Sequence, residues 1–109
     1  MTRHVFVGHS SAVEGREDEY NDWYVNYHLP ALLQCPGVIS VRRFKVTDAQ
    51  LPNTARSFKY LAIYEVETDD PRSFVNEVLS RAATGRLPTS STSAPGSSAV
   101  LWEELEELK

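Results

Sequence analysis

From residue 16 onward the apolar residues of this chain take up a helical period, and the segments on either side do not. Tyr20, Trp23, Tyr24, Tyr27, His28, Ala31 and Leu32 fall at i, i+3, i+4, i+7, i+8, i+11 and i+12. That spacing places them on one stripe of a helix. Glu17, Asp18 and Glu19 sit in its first turn, where they oppose the positive end of the helix dipole, and Cys35-Pro36-Gly37 stops it. Before it, Val5-Phe6-Val7-Gly8 is β-branched and aromatic, which predicts a strand that ends in a turn at His9-Ser10-Ser11. After it, residues 38–46 predict a second strand, 47–57 a loop and 58–66 a third strand.

Asp69-Asp70-Pro71 reads as a helix start, with an Asp N-cap and proline at the first helical position. Phe74, Val75, Val78, Leu79 and Ala82 give that second helix its apolar stripe, and Gly85 ends it. A Ser/Pro/Gly-rich loop over 86–98 is expected to be flexible and is long for a compact domain. Residues 99–103 supply a fourth strand, although Leu101, Leu105 and Leu108 also satisfy a helical spacing. The order β-α-β-β-α-β predicts a single α+β domain over 1–109, ferredoxin-like. Right-handed crossovers place both helices on one face of a four-stranded antiparallel sheet.

Two helices cover one sheet face only. A sheet with a wet second face alternates apolar and polar residues, yet Leu61 and Ile63 are as apolar as Tyr60, Ala62 and Tyr64 on the other side. Val5 and Val7 likewise oppose Phe6. A second copy packed sheet to sheet would cover the remaining face, so a homodimer is expected. The net charge of −4 gives no electrostatic support to nucleic-acid binding. No segment approaches the roughly 20 apolar residues of a membrane span. The N-terminus shows no signal-peptide run and there is one cysteine, Cys35, which together suggest the cytoplasm.

Chemistry concentrates on the first helix. A plain core stripe would be aliphatic; this one carries Tyr20, Trp23, Tyr24, Tyr27 and His28. Buried aromatics with polar ends need partners, so the stripe suggests a semi-polar cavity between helix and sheet, unless the rings simply wrap the helix onto the sheet with their tips in solvent. Pro30 lacks the N–H that would bond to the Asn26 carbonyl, so the helix should bend or restart beside His28. His28 is a candidate general acid or base, or else a histidine that caps the broken helix. Tyr24, one turn earlier, could orient it or bind a substrate oxygen. Arg42 and Arg43 face opposite sides of strand 2, and one of them should point toward the helices; Arg43 is the candidate for pairing with an anionic oxygen. Phe6 and Trp23 would form apolar walls, and Tyr27 and Tyr64 are further substrate-binding candidates. The three histidines show no ligand spacing, so no metal site is expected.

The run from Glu19 to Pro30 ending in His28-Leu29-Pro30, the Pro36-Gly37-Val38 turn, Arg42-Arg43-Phe44 and the Tyr60 to Glu65 strand together resemble the EthD-like branch of the dimeric α/β-barrel superfamily. The resemblance implies a homodimer through the sheet face, with a pocket between each sheet and its helices. It also implies cyclases, dehydratases, decarboxylases, isomerases, cofactor-free oxygenases and haem proteins as relatives in fold, and His28 as the matching acid or base. The leading expectation is a cofactor-independent acid/base enzyme of the cyclase, dehydratase or decarboxylase type, acting on a small aromatic or polyketide-like substrate. A non-catalytic small-molecule-binding protein and a haem-binding or cofactor-free monooxygenase are the alternatives.

Overall fold

A computed structural model describes residues 2–109. The chain forms β1 (Thr2–Ser10), α1 (Glu17–Trp23), a π-helical turn (Tyr24–His28), α2 (Leu29–Leu33), β2 (Val38–Lys45), β3 (Tyr60–Thr68), α3 (Pro71–Ala83) and β4 (Ser98–Glu103). The strands make one sheet in the order β2-β3-β1-β4, with every neighbouring pair antiparallel. This is the ferredoxin-like arrangement that the element order predicts.

β1 at both ends and β3 at its C-terminal end run past their sequence-based bounds, for one reason. β1 is paired on both sides, so its ladder runs through His9 and Ser10, opposite Leu61 and Tyr60 of β3. Pairing there overrides the turn propensity of the His9-Ser10-Ser11 run. At its other end Thr2 pairs with Thr68, which carries β3 two residues past Val66. The C-terminal leucines do not form a helix. Leu101 lies opposite Phe6 in the ladder, and regular structure ends at Glu103.

The first helical segment is interrupted where Pro30 requires it. The Leu29 N–H donates to the carbonyl of Tyr24, five residues back, and α2 then restarts with proline in its first turn. Proline removes the bond to the Asn26 carbonyl and crowds that oxygen; a wider i→i+5 turn just before it relieves the crowding. In α3 the Asp70 carboxylate accepts from the Ser73 N–H at 3.1 Å, the capping contact expected of it.

Along β3 the two faces separate cleanly. Ala62, Tyr64 and Val66 are buried under the helices, and with Tyr20, Tyr24, Leu32, Cys35 and Phe74 they make the core. Leu61 and Ile63 point the other way, alongside Val5 and Val7 of β1. Phe44, Val100 and Trp102 stand exposed on neighbouring strands. Cys35 is a free, buried thiol. No helix is long and apolar enough to cross a membrane among the described residues.

The turn into β2 depends on Gly37. Its φ of +95° lies in the left-handed region, and a Cβ there would stand 2.8 Å from the Glu67 carbonyl oxygen. The Glu67 N–H also donates to the Gly37 carbonyl at 2.9 Å, so the two backbones cannot separate without loss. Gly37→Ala should therefore lower unfolding stability by about 1–3 kcal/mol, read as a lower urea midpoint with unchanged slope. Gly85→Ala, with a φ of +77° but open space around its Cβ position, should cost less.

Candidate functional site

The hollow begins as a row of small residues across the sheet. Ala62, Gly8 and Ala99 stand side by side on β3, β1 and β4, with Arg43 beyond Ala62 on β2. The adjacent row, Val41, Tyr64, Phe6 and Leu101, is bulky throughout. Facing the helices, the bulky row closes one end of the space, while the small row leaves a floor without side chains to fill it. A cavity of about 310 Å³ lies above it. Small-molecule sites start at about this size.

The helix supplies the opposite wall. Tyr20, Trp23, Tyr24 and His28 line the cavity with Phe6, and Tyr64 and Leu32 do so as well. Their rings pack tightly. His28 lies 4.9 Å from Trp23 and 4.7 Å from Tyr24 between ring centroids, and Tyr20 lies 5.4 Å from Tyr24. The Tyr20 and Ser10 hydroxyls share a hydrogen bond that ties the helix to the end of β1. The loop before β4 closes the remaining side through Ser93 and Ser97. It is tied down by Val13 N–H donating to the Thr92 carbonyl at 2.7 Å and Ala94 N–H donating to the Ser11 carbonyl at 2.8 Å, and Thr92 is buried.

The π-helical turn decides which aromatic residues meet. At 3.6 residues per turn, Tyr27 would follow Tyr20, Trp23 and Tyr24 around the same stripe. The looser turn delays the chain, so His28 arrives over Trp23, five residues back. Tyr27 is left 62% exposed and outside the cavity. This corrects the placement expected of Tyr27, which rested on an unbroken α-helical period.

Arg43 faces the helices, and Arg42 faces the open side of the sheet. The Arg43 guanidinium lies 4.2 Å from the centroid of the Tyr24 ring and 5.3 Å from that of Tyr60. It stands behind Tyr24 and does not itself line the cavity. The small side chain of Ala62, its neighbour across the ladder, makes room for it. Cation–π contact favours this placement, yet Nε and Nη2 are buried without a hydrogen-bond partner.

Three more buried polar atoms around the cavity lack partners: Trp23 Nε1, His28 Nδ1 and the Tyr64 hydroxyl. Each such atom costs about 1–3 kcal/mol relative to a satisfied one. Trp23 and Arg43 can only donate, while Tyr64 and His28 can donate or accept. Of the three that line the cavity, Trp23 must donate and the other two can take either role.

Electrostatics set the protonation states. Burial, reinforced by the nearby Arg43 charge, lowers the His28 pKa from 6.5 to about 4, so its imidazole is neutral near pH 7. Burial pushes the Tyr64 hydroxyl well above the usual phenol range, and the adjacent Tyr24 adds to that shift without a geometry that satisfies the Tyr64 oxygen. Tyr20 is also raised, chiefly by burial. The site therefore presents a neutral base and neutral phenols. No group of three His, Cys, Asp or Glu side chains suited to a metal ion occurs among the described residues.

Several lining residues carry no sequence signal of their own. Gly8 reads as the end of a strand, Val78 as part of the second helix's apolar stripe, and Leu87 as part of the loop over 86–98. Only the register, which sets Gly8 between Ala62 and Ala99, shows that a hollow forms there. That inference needs strand pairing, and a single strand's pattern does not contain it.

A histidine held neutral by folding takes up protons on unfolding once the pH falls below 6.5. Its contribution to stability is complete above 6.5 and declines as the pH drops toward 4. The urea midpoint should fall across that window, and His28→Gln should flatten the fall. The His28 ring protons should titrate near 4 in an NMR pH series.

No protein-family model matches the chain, and no curated protein does. Solved structures do match. An EthD family protein of Bacillus halodurans aligns with a TM-score of 0.58 and 14% identity, over 96% of this chain and 100% of that one. The haem-degrading MhuD of Mycobacterium tuberculosis, solved with two haems in its active site, aligns with a TM-score of 0.61 and 14% identity, over 97% and 99%. A dimeric ferredoxin-like protein of unknown function from Thermobifida fusca aligns with a TM-score of 0.57 and 10% identity, over 94% and 92%. At these identities the likeness concerns the fold alone: the chain has a ferredoxin-like α+β fold similar to that of these EthD-family and dimeric ferredoxin-like structures.

Proposed function

We propose that the cavity binds a small, flat, oxygen-bearing aromatic or polyketide-like molecule, and that His28 moves a proton on it without a cofactor. The observation that carries this reading is the set of unpartnered buried polar atoms on Trp23, His28 and Tyr64, which line an aromatic cavity with the Arg43 charge behind it. Carbonyl and phenol oxygens would satisfy the donors, and a flat ring system suits walls built from Phe6, Trp23 and Tyr24.

In the proposed reaction the neutral His28 accepts a proton from a carbon next to a carbonyl. The C–H bond breaks and its electron pair moves to the carbonyl oxygen, giving an enolate. Tyr24 or Tyr64 donates a hydrogen bond to that oxygen, and the Arg43 charge behind Tyr24 favours it electrostatically. The enolate then expels a β-hydroxyl, which takes the proton back from His28 and leaves as water; in the cyclase variant its α-carbon instead attacks a second carbonyl of the same molecule, the C=O π bond breaks, and the new alkoxide takes the proton from His28. An imidazole with a pKa near 4 is a weak base, so the reading requires an acidic carbon such as that of a 1,3-dicarbonyl. The enolate's charge in turn raises the pKa of His28.

Haem fits this cavity poorly. About 310 Å³ suits two or three fused rings, and neither lysine nor arginine lines it to meet the propionates of a porphyrin. The buried free thiol of Cys35 suits a reducing compartment, and we read the chain as cytoplasmic.

Deuterium exchange at the central methylene of an aromatic 1,3-diketone, followed by NMR, tests the reading. The protein should accelerate exchange, and His28→Gln should remove about 10²-fold or more of that acceleration. Tight binding, seen as Trp23 fluorescence quenching, with no accelerated exchange would make the protein a binder without catalysis. An unchanged exchange rate in His28→Gln would remove His28 from the mechanism.

We also propose a homodimer through the open sheet face, supported by the outward Val5, Val7, Leu61 and Ile63. Ile63→Lys, at the centre of that face, should convert the dimer to a monomer in sedimentation equilibrium. A variant that stays dimeric would place the interface elsewhere.

A further inference from the structure

A second hollow, of about 570 Å³, opens beside the loop between β2 and β3. It lies at the end of the sheet where His9 and Ser98 pair. Its walls are both apolar, with Phe44, Phe58 and Leu61, and basic, with Lys45, Arg56 and Lys59. None of the three cations is ion-paired among the described residues. The groove is thus a positively charged, greasy trough continuous with the open sheet face.

The complementary segment is in the same chain. Past β4 run Glu104, Leu105, Glu106, Glu107, Leu108 and Lys109. Leu105 and Leu108 are each 88% exposed, more than any other large apolar side chain described. Glu107 lies 3.9 Å from Lys109, a loose surface pair. An acidic segment with two exposed leucines matches a basic trough with apolar walls in both charge and polarity.

Its own tail is badly placed to reach it. β4 leaves the sheet at Glu103, opposite His4, and the Glu104 N–H still donates to the Arg3 carbonyl at 2.9 Å. That exit is five ladder positions from the Ser98 end, about 17 Å along the strand, and the chain is heading away. A two-fold axis lying in the open-face interface, transverse to the strands, reverses strand direction from one copy to the other. It brings the partner's exit over the end of the sheet that holds the trough. Six residues extend to about 20 Å; crossing from β4 to β2 takes three strand spacings, about 14 Å, and the packed sheets stand about 10 Å apart, so the direct distance is about 17 Å. The span is covered.

We infer that the C-terminal segment, residues 104–109, of one copy docks in the groove lined by Phe44, Phe58, Lys45, Arg56 and Lys59 of the other. The exchange is reciprocal in the dimer, so each copy's tail clasps its partner. It would bury the two leucines and bring Glu106 and Glu107 to the basic wall.

Sedimentation equilibrium on the full chain and its variants tests this. A chain ending at Glu104 keeps the β4 ladder and should dissociate about tenfold more readily or worse. Arg56→Glu with Lys59→Glu should weaken the dimer similarly, and adding Glu106→Lys with Glu107→Lys should restore it. A full chain carrying both Ser57→Cys and Leu108→Cys should form a cross-linked dimer on a non-reducing gel. A shortened chain that dimerises as tightly as the full one overturns the clasp while leaving the sheet-face dimer intact. Failure of the charge swap to restore affinity, or a cross-link confined to monomer mass, also overturns it. A full chain that is monomeric at every concentration overturns both.

Discussion

A proline that cannot complete an α-helix governs the geometry of the cavity. Pro30 withdraws one backbone donor, and the chain answers with a single wide turn at Tyr24–His28. That turn changes which side chains share a wall. It sets the His28 ring against Trp23 and Tyr24 and sends Tyr27 into solvent. The low His28 pKa follows from the same placement, because the ring ends up buried and near Arg43. Backbone covalent chemistry, aromatic packing and protonation state are here one chain of cause and effect.

The sheet contributes by omission. Ala62, Gly8 and Ala99 carry at most a methyl group, so the helix rests on the bulky row beside them and spans the gap. A tightly packed core would have filled this space, since unfilled volume costs stability. The same sparse row admits the Arg43 guanidinium among three tyrosine rings. A buried cation without a hydrogen-bond partner on two of its nitrogens is costly, and it is the kind of feature that folding alone does not select.

Much of this was legible in the residues. Element order and crossover handedness led to the observed sheet, because periods of 3.6 and 2 are local and strong in this chain. The two-sided apolar character of β3 was plain from Leu61 and Ile63. The Asp70 cap and the break at Pro30 were read directly, since each rests on one residue's covalent structure. Tyr27 was misplaced because a period presumes a regular helix, and one π-helical turn shifts everything after it. The bounds of β1 were misjudged because pairing on both edges outweighs the local preference of His9-Ser10-Ser11. The polar-tipped aromatic stripe of the first helix pointed to a cavity, but its floor could not be read from any one segment, because it depends on register between strands far apart in sequence.

The row of small residues also acts as a dial. Gly8 and Ala99 sit at different places along the floor, and each can gain volume in single-carbon steps without displacing the helix that bears His28. A Cβ at Gly8 would stand 3.9 Å from the Tyr24 hydroxyl, ordinary contact and no clash. Depth and chemistry are thus carried by separate elements, the sheet holding one and the helix the other. A lineage built on this plan could change the length of molecule it accepts while leaving its proton-moving group where it is.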